Sequence, residues 1–264
     1  MTSTPALHVR FEGLTASFRL PLTISGTQIT LPMPSYSTLL GLISACAGRI
    51  IKSKDTRIGF EFRCNSRYQE LERKDRLALK GGILKPFRDE KAPRDFRPHI
   101  KTTPEGSTVY LEEIHQGVGY RQVYWHPILD LYITNIDLRS AFENPAATPC
   151  FGRSQDIAWI VFIRSVELEP VGRGSLGPTL LPKIYMKIPG LIVRLPEFIE
   201  NSKMGYPREI GPMGIYQAIS PIREITLREE QGDKRFDVEG ENLYHSSDAE
   251  QENYALYLHR WLIT

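Results

Sequence analysis

The stretch from His8 to Arg49, HVRFEGLTASFRLPLTISGTQITLPMPSYSTLLGLISACAGR, decides the fold. Leu7, Val9 and Phe11 alternate with His8, Arg10 and Glu12, the period of a strand with one buried face. After Gly13 the alternation resumes through Leu14, Ala16, Phe18 and Leu20, so one long or bulged strand is expected. In LPMPSYS two prolines forbid a helix until Ser35 offers an N-cap oxygen to the open backbone donors that follow it. Leu39, Leu42, Ile43, Cys46 and Ile50 then fall on one face of a helix that Gly48 closes. Gly41 and Ala45 would let that helix lie close to a sheet.

Working outward, Arg57 to Arg63 alternates again, with Ile58, Phe60 and Phe62 on one face. From Asn65 to about Glu105 charged residues mix with prolines, aromatics and Gly81-Gly82 without a sustained apolar face, too long for an ordinary connection. Strand candidates Thr108 to Ile114 and Gly119 to Trp125 flank a turn at His115 to Val118, so this insertion should end as a hairpin. His126 to Thr134 gives a third core strand, and Asp137 to Glu143 a short helix with Asp137 as its cap. Asp156 to Leu168, through Ile157, Trp159, Val161, Ile163 and Val166, has the composition of a buried fourth strand.

That order is βαββαβ with a large hairpin in the middle, an α+β domain of the ferredoxin-like or RRM-like plan over residues 1–169. The hairpin insertion occupies about 64–125. Beyond Pro170, recurrent prolines separate short apolar pieces such as Lys183 to Ile188 and Leu191 to Leu195, which indicate a smaller β-rich C-terminal unit over 170–264. Within it, Arg228 to Asp248 is expected as an exposed acidic loop, and Tyr254 to Leu262 as a final strand or a helical turn.

Net charge is +2, close to neutral, but the charge is segregated. Arg63 to Lys101 holds 12 Lys/Arg against 6 Asp/Glu, while Glu224 to Glu252 holds 3 against 10. The basic segment places Arg73, Lys74, Arg76, Lys80 and Lys85 ahead of Arg88, Lys91, Arg94 and Arg97, interleaved with Tyr68, Phe87 and Phe96. Cations that track phosphates, set among rings on which bases stack, are the composition of a single-strand RNA surface. A solvated charged loop is the competing reading. Three cysteines, Cys46, Cys64 and Cys150, are odd in number and widely spaced without C-x-x-C, which argues against a disulfide framework or a zinc site and fits a reducing cytoplasm. No apolar run is long enough to span a membrane, and the N-terminus has no leader pattern.

Two motifs carry a family resemblance. Gln28, Thr30, Pro32 and Pro34 in a Gln-x-Thr-x-Pro-x-Pro turn, then Ser37 to Ile43 and Gly48-Arg49, resemble the opening of CRISPR-associated Cas family five of the RAMP superfamily. Phe151-Gly152-Arg153-Ser154 before an apolar strand resembles that family's Gly-Arg segment. The resemblance implies the same fold, with the basic insertion as a thumb. It implies an RNA-binding subunit of a type I Cascade complex that holds the 5′ handle of the crRNA and caps the backbone filament. Its neighbours would be a backbone subunit of Cas family seven, a large subunit, and target DNA near the protospacer-adjacent motif. A separate endonuclease of family six would make the guide.

The candidate RNA contacts are therefore Arg76, Lys80, Lys85, Phe87, Arg88, Lys91, Arg94 and Arg97 of the insertion, with Phe151, Gly152, Arg153 and Ser154. An arginine fork can grip a phosphate bidentately, and glycine lets backbone approach. Gln28, Ser35 and Ser37 join them, because free N–H groups at a helix start suit an anion; plain capping is the alternative for Ser35.

Catalytic signals are weak by comparison. Gly172-Arg-Gly174-Ser-Leu-Gly177 satisfies G-x-G-x-x-G, but Pro178 and Pro182 oppose the helix that a dinucleotide site needs, so a linker is expected there, with RNA backbone contact through exposed amides as the alternative. Tyr36, Tyr120, Tyr124, His115 and His126 supply material for metal-independent RNA cleavage, yet no Lys-His pair adjoins them. No catalytic residue, metal or cofactor is assigned. Repeat-RNA endonuclease and unrelated ferredoxin-like RNA-binding or protein-interaction module remain the alternatives to a non-catalytic subunit.

Overall fold

A computed structural model describes residues 3–20, 28–78, 99–102, 108–182, 188–200, 209–221, 225–226, 229–230 and 235–262. The chain is mostly β with few helices. Its strands and helices, in order, are β1 (Thr4–Gly13), α1 (Tyr36–Ala47), β2 (Ile58–Arg63), β3 (Ser66–Ala78), β4 (Thr108–Trp125), β5 (Ile128–Ile133) and α2 (Arg139–Glu143). Then come β6 (Ala158–Leu176), β7 (Leu180–Pro182), β8 (Leu191–Pro196), β9 (Met213–Ala218), β10 (Phe236–Ser246) and β11 (Tyr254–Tyr257), with shorter strands between.

The main sheet has the order β10-β11-β6-β1-β5-β2. Antiparallel register sets Val9 against Leu131 on one side and Ile163 on the other, and Phe60 against Leu131. One face therefore collects Val9, Phe11, Leu129, Leu131, Phe60 and Phe62, each fully buried. Leu39, Ile43 and Cys46 of α1 and Phe142 of α2 lie in the same cluster. Burial of one such side chain contributes about 1.5–3 kcal/mol.

The helix starts and stops where its local chemistry demands. Ser35 Oγ accepts from Thr38 N–H at 3.2 Å, and Gly48 closes it at φ +66°. Gly41 meets nothing within 4 Å and is exposed, because it sits out of phase with Leu39 and Ile43; it does not set a close approach to the sheet. Ile50 lies past the cap and is 48% exposed.

Several expectations are corrected by long-range pairing. The first strand ends at Gly13, and Thr15–Ala16 turns to pair with Trp125 and Tyr124 instead. A Cβ at Gly13 would lie 2.9 Å from the Ile157 carbonyl, so the bend needs glycine. Residues 108–125 form one strand, not two flanking a turn at 115–118. Asn135, not Asp137, caps the turn that leads into α2, accepting from the Asp137 N–H at 3.1 Å. Ile157, Trp159 and Val161 are 53%, 44% and 47% exposed, although their composition reads as buried. There, among the described residues, β6 pairs with β1 on one side, and its other partner β10 joins from Leu168 onward. Gly172 and Gly174 lie inside β6, so the glycine run is strand, not linker.

The acidic segment is not a loop throughout, since Phe236–Ser246 is β10 of the main sheet. Tyr254–Tyr257 resolves as strand, and its continuation closes a curl: His259 N–H donates to the Ile58 carbonyl at 2.8 Å and Leu258 bridges Gly59. The expected strand at Leu191 to Leu195 is β8; that at Lys183 to Ile188 lies, except for Ile188, outside the described residues.

Two compact units emerge. One comprises residues 1–23, 29–68 and 122–264; the other comprises 24–28 and 69–121. A division at 169/170 would cut through β6, and the segments on both sides of it belong to the first unit. Within the second unit β4 pairs with β3 and with the strand His99–Thr102, and Arg121 donates to Glu72 at 2.8 and 2.9 Å. No helix among the described residues is long and apolar enough to cross a membrane.

Candidate functional site

Each group of expected RNA contacts is held by its own neighbours. Gln28 is buried in the second unit, its N–H donating to the Tyr120 carbonyl at 2.6 Å. Ser35 Oγ is occupied as the helix cap and lies 2.9 Å from the hydroxyls of both Ser37 and Thr38. Arg76 lies on β3, and Lys80, Lys85, Phe87, Arg88, Lys91, Arg94 and Arg97 fall outside the described residues.

The Phe151 to Ser154 turn is packed into the scaffold. Phe151 is 1% exposed and meets Phe18 and Phe62 edge to face, so its ring offers no surface for a base. Arg153 spends its fork on Asp156, Nε to Oδ2 at 2.8 Å and Nη2 to Oδ1 at 2.7 Å, instead of keeping it for a phosphate. Asp156 is fully buried and also accepts from Thr15 Oγ1 at 2.6 Å. Gly152 sits at φ +102°, and a Cβ there would lie 2.1 Å from the Ser17 carbonyl oxygen. Ser154 is exposed on this turn. These contacts clamp the start of β6 onto the end of β1.

Among the tyrosines and histidines weighed for cleavage, Tyr36 is 1% exposed, its hydroxyl donating to the Leu180 carbonyl at 2.8 Å. It stacks on His259 at 3.8 Å, and His259 in turn binds buried Glu197. Tyr124 is buried, Tyr120 is 54% exposed, and His126 holds φ +53° at the start of the turn into β5. Burial raises the Tyr36 and Tyr124 hydroxyls well above the ordinary phenol range.

The constellation that sequence reasoning missed lies on the other face of the sheet. The same alternation that buries Val9 and Phe11 turns His8 and Arg10 away from the helices. Their neighbours in register are Asp130 and Tyr132 of β5, and Phe162 and Arg164 of β6. His8 Nε2 lies 2.9 Å from Asp130 Oδ1, and Nδ1 2.6 Å from Asp248 Oδ2. Arg10 grips Asp130 through Nε at 2.7 Å and Nη2 at 3.1 Å, and Arg63 Nη2 donates to the same carboxylate. Tyr132 stacks on His8 at 4.2 Å. Arg10 and Arg164 both lie over the Phe162 ring, at 5.0 and 4.2 Å.

Together these residues line a pocket of about 360 Å³ in the curl, which Asp248 reaches from the turn after β10 and Tyr254 from β11. Burial opposes charge on His8, but hydrogen bonds to Asp130 and Asp248 outweigh it and raise the imidazole above its ordinary value. Burial likewise favours neutral Asp130, yet His8, Arg10 and Arg63 hold its carboxyl well below the usual carboxylate range. Asp248 is lowered too, its burial outweighed by His8 and by Ser246, whose hydroxyl donates at 2.6 Å. The one local signal of this site was the polar half of the β1 alternation.

Residues 6–79 match the model of the family described as CRISPR-associated protein (Cas_Cas5). No curated protein matches. Among solved structures, a chain of a "CRISPR RNA-guided surveillance complex" is similar at 13% identity and TM-score 0.47, over 83% of this chain and 89% of its own. Another, "Crystal structure of a CRISPR protein from Archaeoglobus fulgidus", is similar at 11% identity and TM-score 0.43, over 97% of this chain and 100% of its own. The family match falls on β1, the capped helix α1, β2 and the start of the basic insertion, so this part of the chain is similar to CRISPR-associated Cas family five.

Proposed function

We propose that this protein is a non-catalytic RNA-binding subunit of a type I CRISPR Cascade surveillance complex, acting in the cytoplasm. In this reading it holds the 5′ handle of the crRNA and caps the backbone filament. The observation that carries it is the family match over residues 6–79, which runs into an insertion rich in Arg, Lys and aromatic residues. That insertion is largely a compact unit of its own, as a thumb requires. The antiparallel order β6-β1-β5-β2, with α1 and α2 in the two crossovers, supports reading the core as ferredoxin-like βαββαβ. Residues 170–264 then extend that sheet as a β-rich appendage.

Sequence recognition of foreign DNA falls to guide pairing, while this subunit reads RNA ends and shape. Its partners are the crRNA handle, a backbone subunit of Cas family seven, the large subunit, and target DNA near the protospacer-adjacent motif. Basic residues of the insertion supply the phosphate contacts, with Phe87 as a stacking ring. Arg153 and Ser35 serve this function by holding the scaffold.

The test is incubation of purified protein with labelled CRISPR repeat RNA in excess EDTA, beside the same RNA lacking the handle. A mobility shift that needs the handle and leaves the RNA intact is expected. Metal-independent cleavage that disappears on changing a tyrosine or histidine would replace this reading with that of a processing endonuclease.

A further inference from the structure

The pocket in the curl carries more positive than negative charge, and the excess lies at its mouth. His8 has a carboxylate oxygen within hydrogen-bond distance of each ring nitrogen, which requires both to bear protons. With Arg10, Arg63 and Arg164 it brings four positive charges against the two carboxylates Asp130 and Asp248. Arg235 and Glu61 pair with each other at 2.6 and 3.1 Å, and Glu250 stands at the exposed rim. Across the whole lining, cations still outnumber carboxylates.

Depth separates the signs. The Asp130 side chain is 6% exposed at the floor, whereas Arg10 is 30% and Arg164 57% exposed. Arg10 uses Nε and Nη2 on Asp130, which leaves Nη1 for another acceptor. Arg164 comes no nearer than 3.9 Å to its carboxylate, Asp248, and lies over the Phe162 ring at 4.2 Å. Two guanidiniums thus flank one half-buried aromatic ring, at the open side of a concave site whose interior is already neutralised. Guanidinium forks match the tetrahedral oxygens of a phosphate, and the ring between them holds the two forks in place.

We infer that this pocket is a phosphate-binding site for RNA, with Arg164 and Arg10 as its donors and the Phe162 ring as the platform that holds their guanidiniums, separate from the basic insertion. The identity of the carrier rests on the RNA-binding function proposed above; the phosphate chemistry rests on these side chains alone. A phosphodiester within a chain and a terminal phosphate share that chemistry.

The full chain is titrated with inorganic phosphate against chloride at equal ionic strength, following thermal unfolding and the Phe162 and His8 NMR signals. Handle RNA with and without a 5′-phosphate is titrated alongside. Arg164→Glu and Phe162→Ala are compared with wild type, and Arg164→Lys serves as the charge-preserving control. Phosphate should raise the wild-type unfolding temperature and shift both signals, and Arg164→Glu should abolish this. RNA affinity should fall about tenfold in Arg164→Glu, with the salt slope reduced by about one. Preference for the 5′-phosphorylated RNA assigns a terminal phosphate, and equal binding assigns a phosphodiester. Failure of wild type to bind RNA while phosphate still stabilises it would remove the proposed function and keep the phosphate site. Wild type and Arg164→Glu responding alike to phosphate and binding RNA alike would overturn the site, as would stronger protection by a glutamate-rich peptide than by phosphate.

Discussion

At the scale of single residues, His8 links the two ends of the chain. Its ring joins Asp130 of β5 to Asp248, which lies 240 positions from His8, and is faced also by Arg10, Arg63, Arg164, Tyr132 and Phe162. Because the folded imidazole titrates above its usual value, its stabilising contribution is complete below about pH 6.5, the unfolded value. It is lost as pH rises through the folded value. Asp130 and Asp248 are lowered, so their contribution is present above the unfolded carboxylate value and lost as pH falls through the folded ones. Urea unfolding at a series of pH values should therefore show wild type losing stability on the alkaline side. His8→Gln should flatten that limb; an unchanged limb would assign the loss to another group. The local alternation showed that His8 faces away from the helices, but not that two carboxylates wait for it there.

At the scale of elements, the clamp between β1 and β6 separates scaffold from ligand contact. Arg153 is the partner of a carboxylate with no exposure, and removing one member of such a pair strands the other in a poor environment. Arg153→Ala should cost about 3 kcal/mol in denaturant unfolding. An arginine used for RNA alone would instead weaken RNA binding and leave unfolding unchanged. The motif Phe151-Gly152-Arg153 was legible in the sequence as special, and the structure explains it by packing. Phe151 fills the core, Gly152 takes a φ that a side chain resists, and Arg153 is spent three residues downstream. The helix α1 was legible almost in full, because caps and the 3.6 period are local. The edge segment of β6 was not, because a strand's composition does not say whether a neighbour lies on each side.

At the scale of the whole molecule, the basic insertion and the curled sheet are distinct compact units. Near the junction Asn65 N–H donates to the Trp125 carbonyl at 3.0 Å, which brings the insertion's two ends together. Replacing 69–121 by a short Gly/Ser link should leave cooperative unfolding of the remaining unit and remove most handle-RNA binding. Loss of cooperative unfolding would show instead that the insertion stabilises the sheet, and retained binding would move the main RNA surface elsewhere.

The sequence by itself determined the apolar sides of β1, β2 and β5, the start and stop of α1, and the charge of the insertion. All of these are set within a few residues by side-chain period, capping oxygen and glycine. Tertiary structure alone decided that β6 runs on past the expected boundary, that the acidic segment contributes β10, and that Leu258 closes onto Gly59. That closure brings Asp248 and Tyr254 to the polar face of β1, where a row of apparently solvated charges becomes a lined pocket. Strand order and curl depend on backbone pairing between residues far apart in the chain, and alternation along one strand carries no record of which strand will pair with it.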